Sequence, residues 1–147
     1  MFNTPAPIET ANDIAVLAVN RTPEDYEALR RILCGSKWKL HKAADLTVAL
    51  RHLRRYANIS LIVCDRDFWK ELLPHVSEMK DGPLLIVAAT DADEHLWAEA
   101  LNMGAYDVLA KPFEPVEVVR SLSLGWLHRR RECERARLLR NPKVLTA

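Results

Sequence analysis

The sequence predicts an α/β domain in which a five-stranded parallel sheet, of strand order 2-1-3-4-5, is wound with helices on both faces. Two observations carry this. Short, nearly continuous apolar runs alternate with longer amphipathic stretches over residues 13–127, and such runs are strands buried on both faces, as parallel sheets require. Capping residues, glycines and prolines fall at the joints between the two kinds of segment. Regular strand–helix alternation implies right-handed crossovers and a doubly wound sheet.

The elements follow in order. Residues 1–12 are rich in Pro and polar side chains and read as a loose arm. Asp13 to Val19 is the first apolar strand. Thr22-Pro23-Glu24-Asp25 opens a helix with Thr22 as N-cap, Pro23 in the first turn and two acids at the positive end of the dipole. Tyr26, Leu29, Ile32 and Leu33 recur at helical spacing and Gly35 closes the helix. Trp38 to Ala43 alternates as a strand. Asp45 caps a helix carrying Val48, Leu50, Leu53 and Tyr56, with Arg51, Arg54 and Arg55 on its wet face. Ile59 to Cys64 is a third strand, ending at Asp65-Arg66-Asp67, and a helix reaches Met79 with Pro74 as its point of kinking or splitting. After the Asp81-Gly82-Pro83 turn come the strand Leu84 to Ala89 and a helix from Asp91 to Met103, with Leu96, Trp97, Ala100 and Leu101 inward. Gly104 ends that helix, Tyr106 to Ala110 is the fifth strand, and Pro115 starts a last helix with Val116, Val119, Leu122, Trp126 and Leu127 on one side.

Composition bounds the class. A chain of 147 residues, 49% hydrophobic and 28% charged, is read as one globular domain able to bury a core without disulfides or metal. Three cysteines with no CxxC spacing argue against a disulfide framework or zinc site. Cys64 reads as a small core residue, and reduced thiols suit the cytoplasm. The longest apolar run, Leu84 to Ala89, falls far short of a membrane span, and the N-terminus lacks the regions of a secretory signal. The five histidines share no ligand spacing and are read as surface residues, with no metal site expected. No HxxxH, GxGxxG, P-loop or GxSxG pattern occurs, so nucleotide-binding and hydrolytic sites lack support and an enzyme is not expected.

Net charge is +1, unevenly spread. Residues 128–147 carry seven Arg or Lys against Glu132 and Glu134, leaving the rest acidic overall. This Arg-rich segment continues the last helix in register, with a thin stripe of Trp126, Cys133, Leu138 and Leu139. A solvated helical end, a dimerising or partner-binding helix, and contact with nucleic acid or an acidic partner remain open readings. Nucleic acid is the weakest, for want of a recognition fold.

The stretch Asn102 to Phe113 places a lysine, Lys111, against Pro112 after a glycine turn and a short apolar strand. That is the C-terminal edge of the sheet, where open α/β folds build their sites. It resembles the G-A-x-D-[YF]-L-x-K-P-F signature of response-regulator receiver (CheY-like) domains, the phosphoacceptor modules of two-component signalling, whose fold is the flavodoxin-like one. The resemblance covers 13–127 and can be followed residue by residue. It implies that Asp65, ending the third strand, takes the phosphoacceptor place, and that Lys111 pairs with it across a cis Lys111–Pro112 bond. An ammonium there keeps a carboxylate ionised.

Departures from the family pattern are equally specific. Asn20 and Arg21 stand where the acidic pair that carries Mg²⁺ is expected, and a hard dication wants carboxylate oxygens. The expected hydroxyl falls on Ala88 or Ala89, with Thr90 late. Val108 holds the aromatic-switch position and Tyr106 lies two residues earlier. Arg21 either neutralises phosphoryl oxygens or pairs with Asp65 and locks the site, and Asp65 is either phosphoacceptor or structural carboxylate. Trp97 lies on the helix that receivers use for dimerisation, so a homodimer is one arrangement to test. The reading is a stand-alone, degenerate receiver (a pseudo-receiver), comprising an arm (1–12), a receiver-like domain (13–127) and an Arg-rich helical extension (128–147). It acts in phosphorelay signalling through protein contact, with a histidine kinase or output protein as partner, without membrane association or a resident cofactor, and with weak or no Mg²⁺-dependent phosphorylation. The alternative is a competent receiver that takes phosphate on Asp65.

Overall fold

A computed structural model describes residues 14–140. Its five strands are β1 (Ile14–Val19), β2 (Trp38–Ala43), β3 (Ile59–Asp65), β4 (Leu84–Ala89) and β5 (Asp107–Ala110). The helices are α1 (Pro23–Leu33), α2 (Leu46–Arg55), α3 (Trp69–Ser77), α4 (Glu94–Met103) and α5 (Pro115–Leu139). All strand pairs are parallel, in the order β2-β1-β3-β4-β5 expected from the alternation of elements. The arm read over 1–12 lies outside the described residues, as do residues 141–147 of the extension.

Strand periodicity divides the core in two, because successive side chains point to opposite faces. Val16 and Ala18, Leu61 and Val63, Ile86 and Ala88 and Leu109 meet Leu29 and Leu33 of α1 and Val118 and Leu122 of α5. The intervening residues Leu17, Val19, Ile62, Cys64, Leu85 and Val87 meet α2, α3 and α4. Trp69, fully buried at the start of α3, is the largest side chain of that second layer. Asp65 has the parity of Leu61 and Val63, so the strand turns its carboxylate toward the α1/α5 face.

Helix ends follow local chemistry. The Asp45 and Asp93 carboxylates accept from the Val48 and Leu96 amides, and Glu114 from the Glu117 amide, each satisfying an orphan donor of a first turn. Thr22 occupies the N-cap of α1 without a side-chain bond, leaving Pro23 in the first turn to set the start. Gly104 ends α4 with φ +113°, a conformation that would strain any residue with a Cβ. Pro74 lies inside α3.

The sequence reading misassigns two helix faces. α4 starts at Glu94 rather than Asp91, and it turns Leu96 and Ala100 inward while Trp97 is 44% and Leu101 36% exposed. On α5 the buried face is Val118, Ser121, Leu122 and Gly125, whereas Val116, Val119 and Leu127 are exposed. In both, more apolar residues are present than the sheet can cover, and hydrophobicity alone does not choose among them. The histidines are also not all on the surface: His41 and His52 are half-buried, with rings packed around Tyr56.

Candidate functional site

The C-terminal ends of β1, β3 and β5 converge on one buried carboxylate. Asp65 is 2% exposed, and three groups donate to it. Lys111 Nζ lies 2.7 Å from Oδ1, Asn20 Nδ2 donates to the same oxygen at 3.3 Å, and the main-chain amide of Arg21 donates to Oδ2 at 2.7 Å. Each donor follows from its place: Asn20 and Arg21 leave the end of β1, next to β3 in the sheet, and Lys111 leaves the end of β5 before a cis bond to Pro112. An ionised carboxylate is stable out of water only with this kind of pairing.

Lys111 is shared. Its Nζ also donates to Asp25 Oδ2 at 2.6 Å, from the first turn of α1. Burial pushes the Lys111 ammonium toward its neutral form, but hydrogen bonds and charge from Asp25 and Asp65 outweigh burial and hold its pKa above the ordinary lysine value. Asp25 is the site residue that sequence reasoning missed, having been read with Glu24 as a dipole partner. The available signal was its position: a first-turn acid after β1, the neighbour of β3 in the sheet, stands where the strand-to-helix loops meet.

Arg21 reaches the site differently from either sequence reading. Its guanidinium turns outward, 71% exposed, and pairs with Asp67 Oδ2 at 3.1 Å, while its backbone amide binds Asp65. A second cation beside Lys111 would have to shed water, whereas Asp67 offers a partner at the surface. Thr90 does not join the pocket either. β4 ends at Ala89, Thr90 is exposed beyond it, and the register partner of Asp65 is Ala88, which carries no hydroxyl. Asn20 is as expected beside Asp65, and its buried Oδ1 has no hydrogen-bond partner.

Val108 packs into the core at 7% exposure, in register with Val87. Tyr106 lies toward α5, its ring 5.4 Å from that of His128 and against Gly125. Trp97 lines a cleft between α4 and α5 together with Asp107, Val108, Glu117, Arg120 and Ser121, and inside it Ser121 Oγ donates to Asp107 Oδ2 at 2.6 Å.

The oxygens around Asp65 bear on whether Mg²⁺ could be held here. That ion demands near-octahedral oxygen coordination. Of the nearby oxygens, Asp25 is held by Lys111, Asp67 by Arg21, and both Asp65 oxygens by N–H donors. Asn20 Oδ1 is buried without a hydrogen-bond partner, and among the described residues no group of three or more His, Cys, Asp or Glu could hold a metal.

No family model matches the chain. Over 126 residues it is 29% identical to the two-component response regulator ORR6 of Oryza sativa subsp. japonica, covering 78% of this chain and 72% of that protein. In three dimensions it resembles the signal receiver domain of an HD domain-containing protein from Pseudomonas fluorescens Pf-5, with TM-score 0.75 and 24% identity over 91% of this chain and 99% of that one. It also resembles the chemotaxis protein CheY4 of Vibrio cholerae, with TM-score 0.65 and 20% identity over 77% and 98% of the two chains. With the strand order and the acid–lysine pocket, these likenesses give the chain the CheY-like fold of response-regulator receiver domains and a similarity in sequence to a two-component response regulator.

Proposed function

We propose that this receiver domain of two-component signalling is an atypical one, acting by protein contact with its acid–lysine pocket closed in the absence of phosphate. One observation carries the reading: every oxygen of Asp65 already accepts from a donor supplied by the chain itself. Phosphoryl transfer to a carboxylate needs a free nucleophilic oxygen and cations placed for the developing charge. Here one ammonium serves two carboxylates, and the residues after β1 supply an amide and an outward-turned arginine. The absence of a hydroxyl at Ala88 and of an aromatic at Val108 supports the same reading, since both belong to the family's switching apparatus. Receiver domains typically signal without catalysing, and their partners are kinases or output proteins; that class of partner is the one proposed here.

The test is direct. Incubated with acetyl phosphate and Mg²⁺, or with beryllofluoride, the protein is expected to give no adduct by intact mass and no fluorescence change, and Asp65→Asn is expected to alter stability only. An adduct that disappears in Asp65→Asn overturns the proposal and establishes Asp65 as a phosphoacceptor.

A further inference from the structure

Past Arg129, which also reaches Ser60 of β3 at 3.4 Å, no hydrogen bond between side chains of α5 and the sheet is seen among the described residues. The last firm tether of α5 is Arg129, whose guanidinium donates to the main-chain oxygens of Asp81 at 2.6 Å and Gly82 at 3.1 Å. From Arg130 to Leu139 the helix is mostly exposed. One side of this length forms a groove lined by Leu127, Arg130, Arg131, Glu134, Arg135 and Leu138. Leu127, Arg131, Glu134 and Leu138 are spaced by four, three and four residues, which puts them on one face of a helix, as the seam of a two-helix packing requires. Leu124 prolongs the seam toward the domain; it is 52% exposed and Leu127 is 40% exposed.

Charge on this face is one-sided. Glu134 is bound by Arg137 at 2.6 Å, and Arg130 lies over the Trp126 ring at 5.2 Å. Arg131 and Arg135, one helical turn apart, make no ion pair among the described residues. The face therefore offers leucines about 16 Å apart along the axis, with unpaired guanidinium groups between and beside them.

We propose that this face docks an amphipathic helix of a partner protein, one that sets an apolar stripe against Leu124, Leu127 and Leu138 and carboxylates against Arg131 and Arg135. This rests on reading the domain as a protein-contact module, and it is independent of whether Asp65 accepts phosphate. Three other occupants fit less well. A second copy would bring two equally basic faces together, each with six arginines against two glutamates between 128 and 140. A nucleic-acid backbone would satisfy the arginines but leave the leucines in water. A membrane surface would have to bury Arg131 and Glu134, which interrupt the apolar stripe.

The full chain is titrated at physiological salt with a synthetic helical peptide bearing a leucine stripe flanked by glutamates, and with a scrambled peptide of identical composition. Binding is read by fluorescence anisotropy. The patterned peptide is expected to bind about tenfold or more tightly than the scrambled one, and Arg131→Glu/Arg135→Glu and Leu127→Ser/Leu138→Ser are each expected to weaken it by about tenfold or more. Far-UV circular dichroism checks that the variants fold, which the exposure of Leu127, Arg131 and Arg135 and the half-burial of Leu138 favour. Equal binding of the two peptides overturns the proposal, as does indifference to both variants. Preferential binding of duplex DNA or phosphatidylserine vesicles, or a dimer abolished by Leu127→Ser/Leu138→Ser, also overturns it. An acetyl phosphate adduct on Asp65 would count against the closed pocket and leave this result untouched.

Discussion

Replacing Lys111 by Met removes one ammonium and keeps most of the aliphatic stem, so the effect isolates charge. In the wild type that ammonium lies 2.6 Å from Asp25 and 2.7 Å from Asp65, with side-chain exposures of 15% for the lysine, 24% for Asp25 and 4% for Asp65. Breaking a buried pair by deleting one partner costs about 3–5 kcal/mol, because the remaining charge is stranded. Two features pull the figure down: Asp25 can turn to water, and Asp65 keeps the Asn20 and Arg21 donors. The expected loss is therefore about 3 kcal/mol, at the low end of that range. At this size the melting temperature falls by about 6–12 °C. Chemical denaturation of Lys111→Met, Asp65→Asn and the double variant forms the assay, and the coupling between the two sites should be about 1–2 kcal/mol, since both mutations remove the same contact.

The same variant carries a pH test. The folded pKa of Lys111 lies above its ordinary value of 10.5, so its contribution is present in full below that pH and disappears as pH rises through the folded value. The stability gap between wild type and Lys111→Met should be flat through neutral pH and close only above about 10.5. A loss under about 1 kcal/mol, strict additivity with Asp65→Asn, or a gap that closes below pH 9 would each refute the shared-lysine reasoning.

Other expectations test separate parts of the structure. A Cβ on Gly125 would sit 2.9 Å from Leu61 Cδ2 and 3.3 Å from Tyr106 Cε2, so Gly125→Ala should lower the urea midpoint. Overpacking of about 1–3 kcal/mol outweighs the roughly 1 kcal/mol helix-propensity gain, and an unchanged or higher midpoint would mean that the two side chains give way. A thiol reagent should label exposed Cys34 first and half-buried Cys133 more slowly, while Cys64, fully buried and with its thiol pKa pushed up by burial, should react only on unfolding. Three native equivalents at one rate would contradict that packing. Asn20→Asp puts a second carboxylate beside Asp65 and should make stability depend on Mg²⁺, raising the melting temperature of the variant but not of the wild type. Equal Mg²⁺ effects on both would undercut the argument from the donor set.

Sequence legibility followed how completely each element is covered. β2 and β4 run over the residues expected from their patterns, Trp38–Ala43 and Leu84–Ala89, since each ends at a turn or cap that the sequence marks. Faces of α4 and α5 were misread because Trp97, Leu101, Val116 and Val119 are as apolar as the residues that pack. Ser121 and Gly125, which do face inward, look like interruptions of a stripe: one is held by Asp107, and the other allows close approach of Leu61 and Tyr106. In the pocket, Asp65 and Lys111 were legible because a strand end and a Lys-Pro pair fix where each must stand. Asp25 had a sufficient local explanation as a helix-start acid. The Arg21 contact was not legible because a backbone amide carries no letter of its own.

The pocket and the surface differ in what they leave unsatisfied, and that difference locates where binding energy is available. At Asp65, three internal donors meet one carboxylate and the Lys111 ammonium is divided between two acids. A ligand entering there must displace contacts of charge-assisted strength before it gains any. Along α4 and α5 the reverse holds: Trp97, Val116, Val119, Leu124 and Leu127 are all exposed by 40% or more, and covering them needs no internal bond to break. Burial returns about 25 cal/mol for each Å² of apolar surface removed from water. The proposed contact role rests on this contrast: covering α4 and α5 gains apolar burial at once, whereas chemistry at the carboxylate must first displace Lys111, Asn20 or the Arg21 amide.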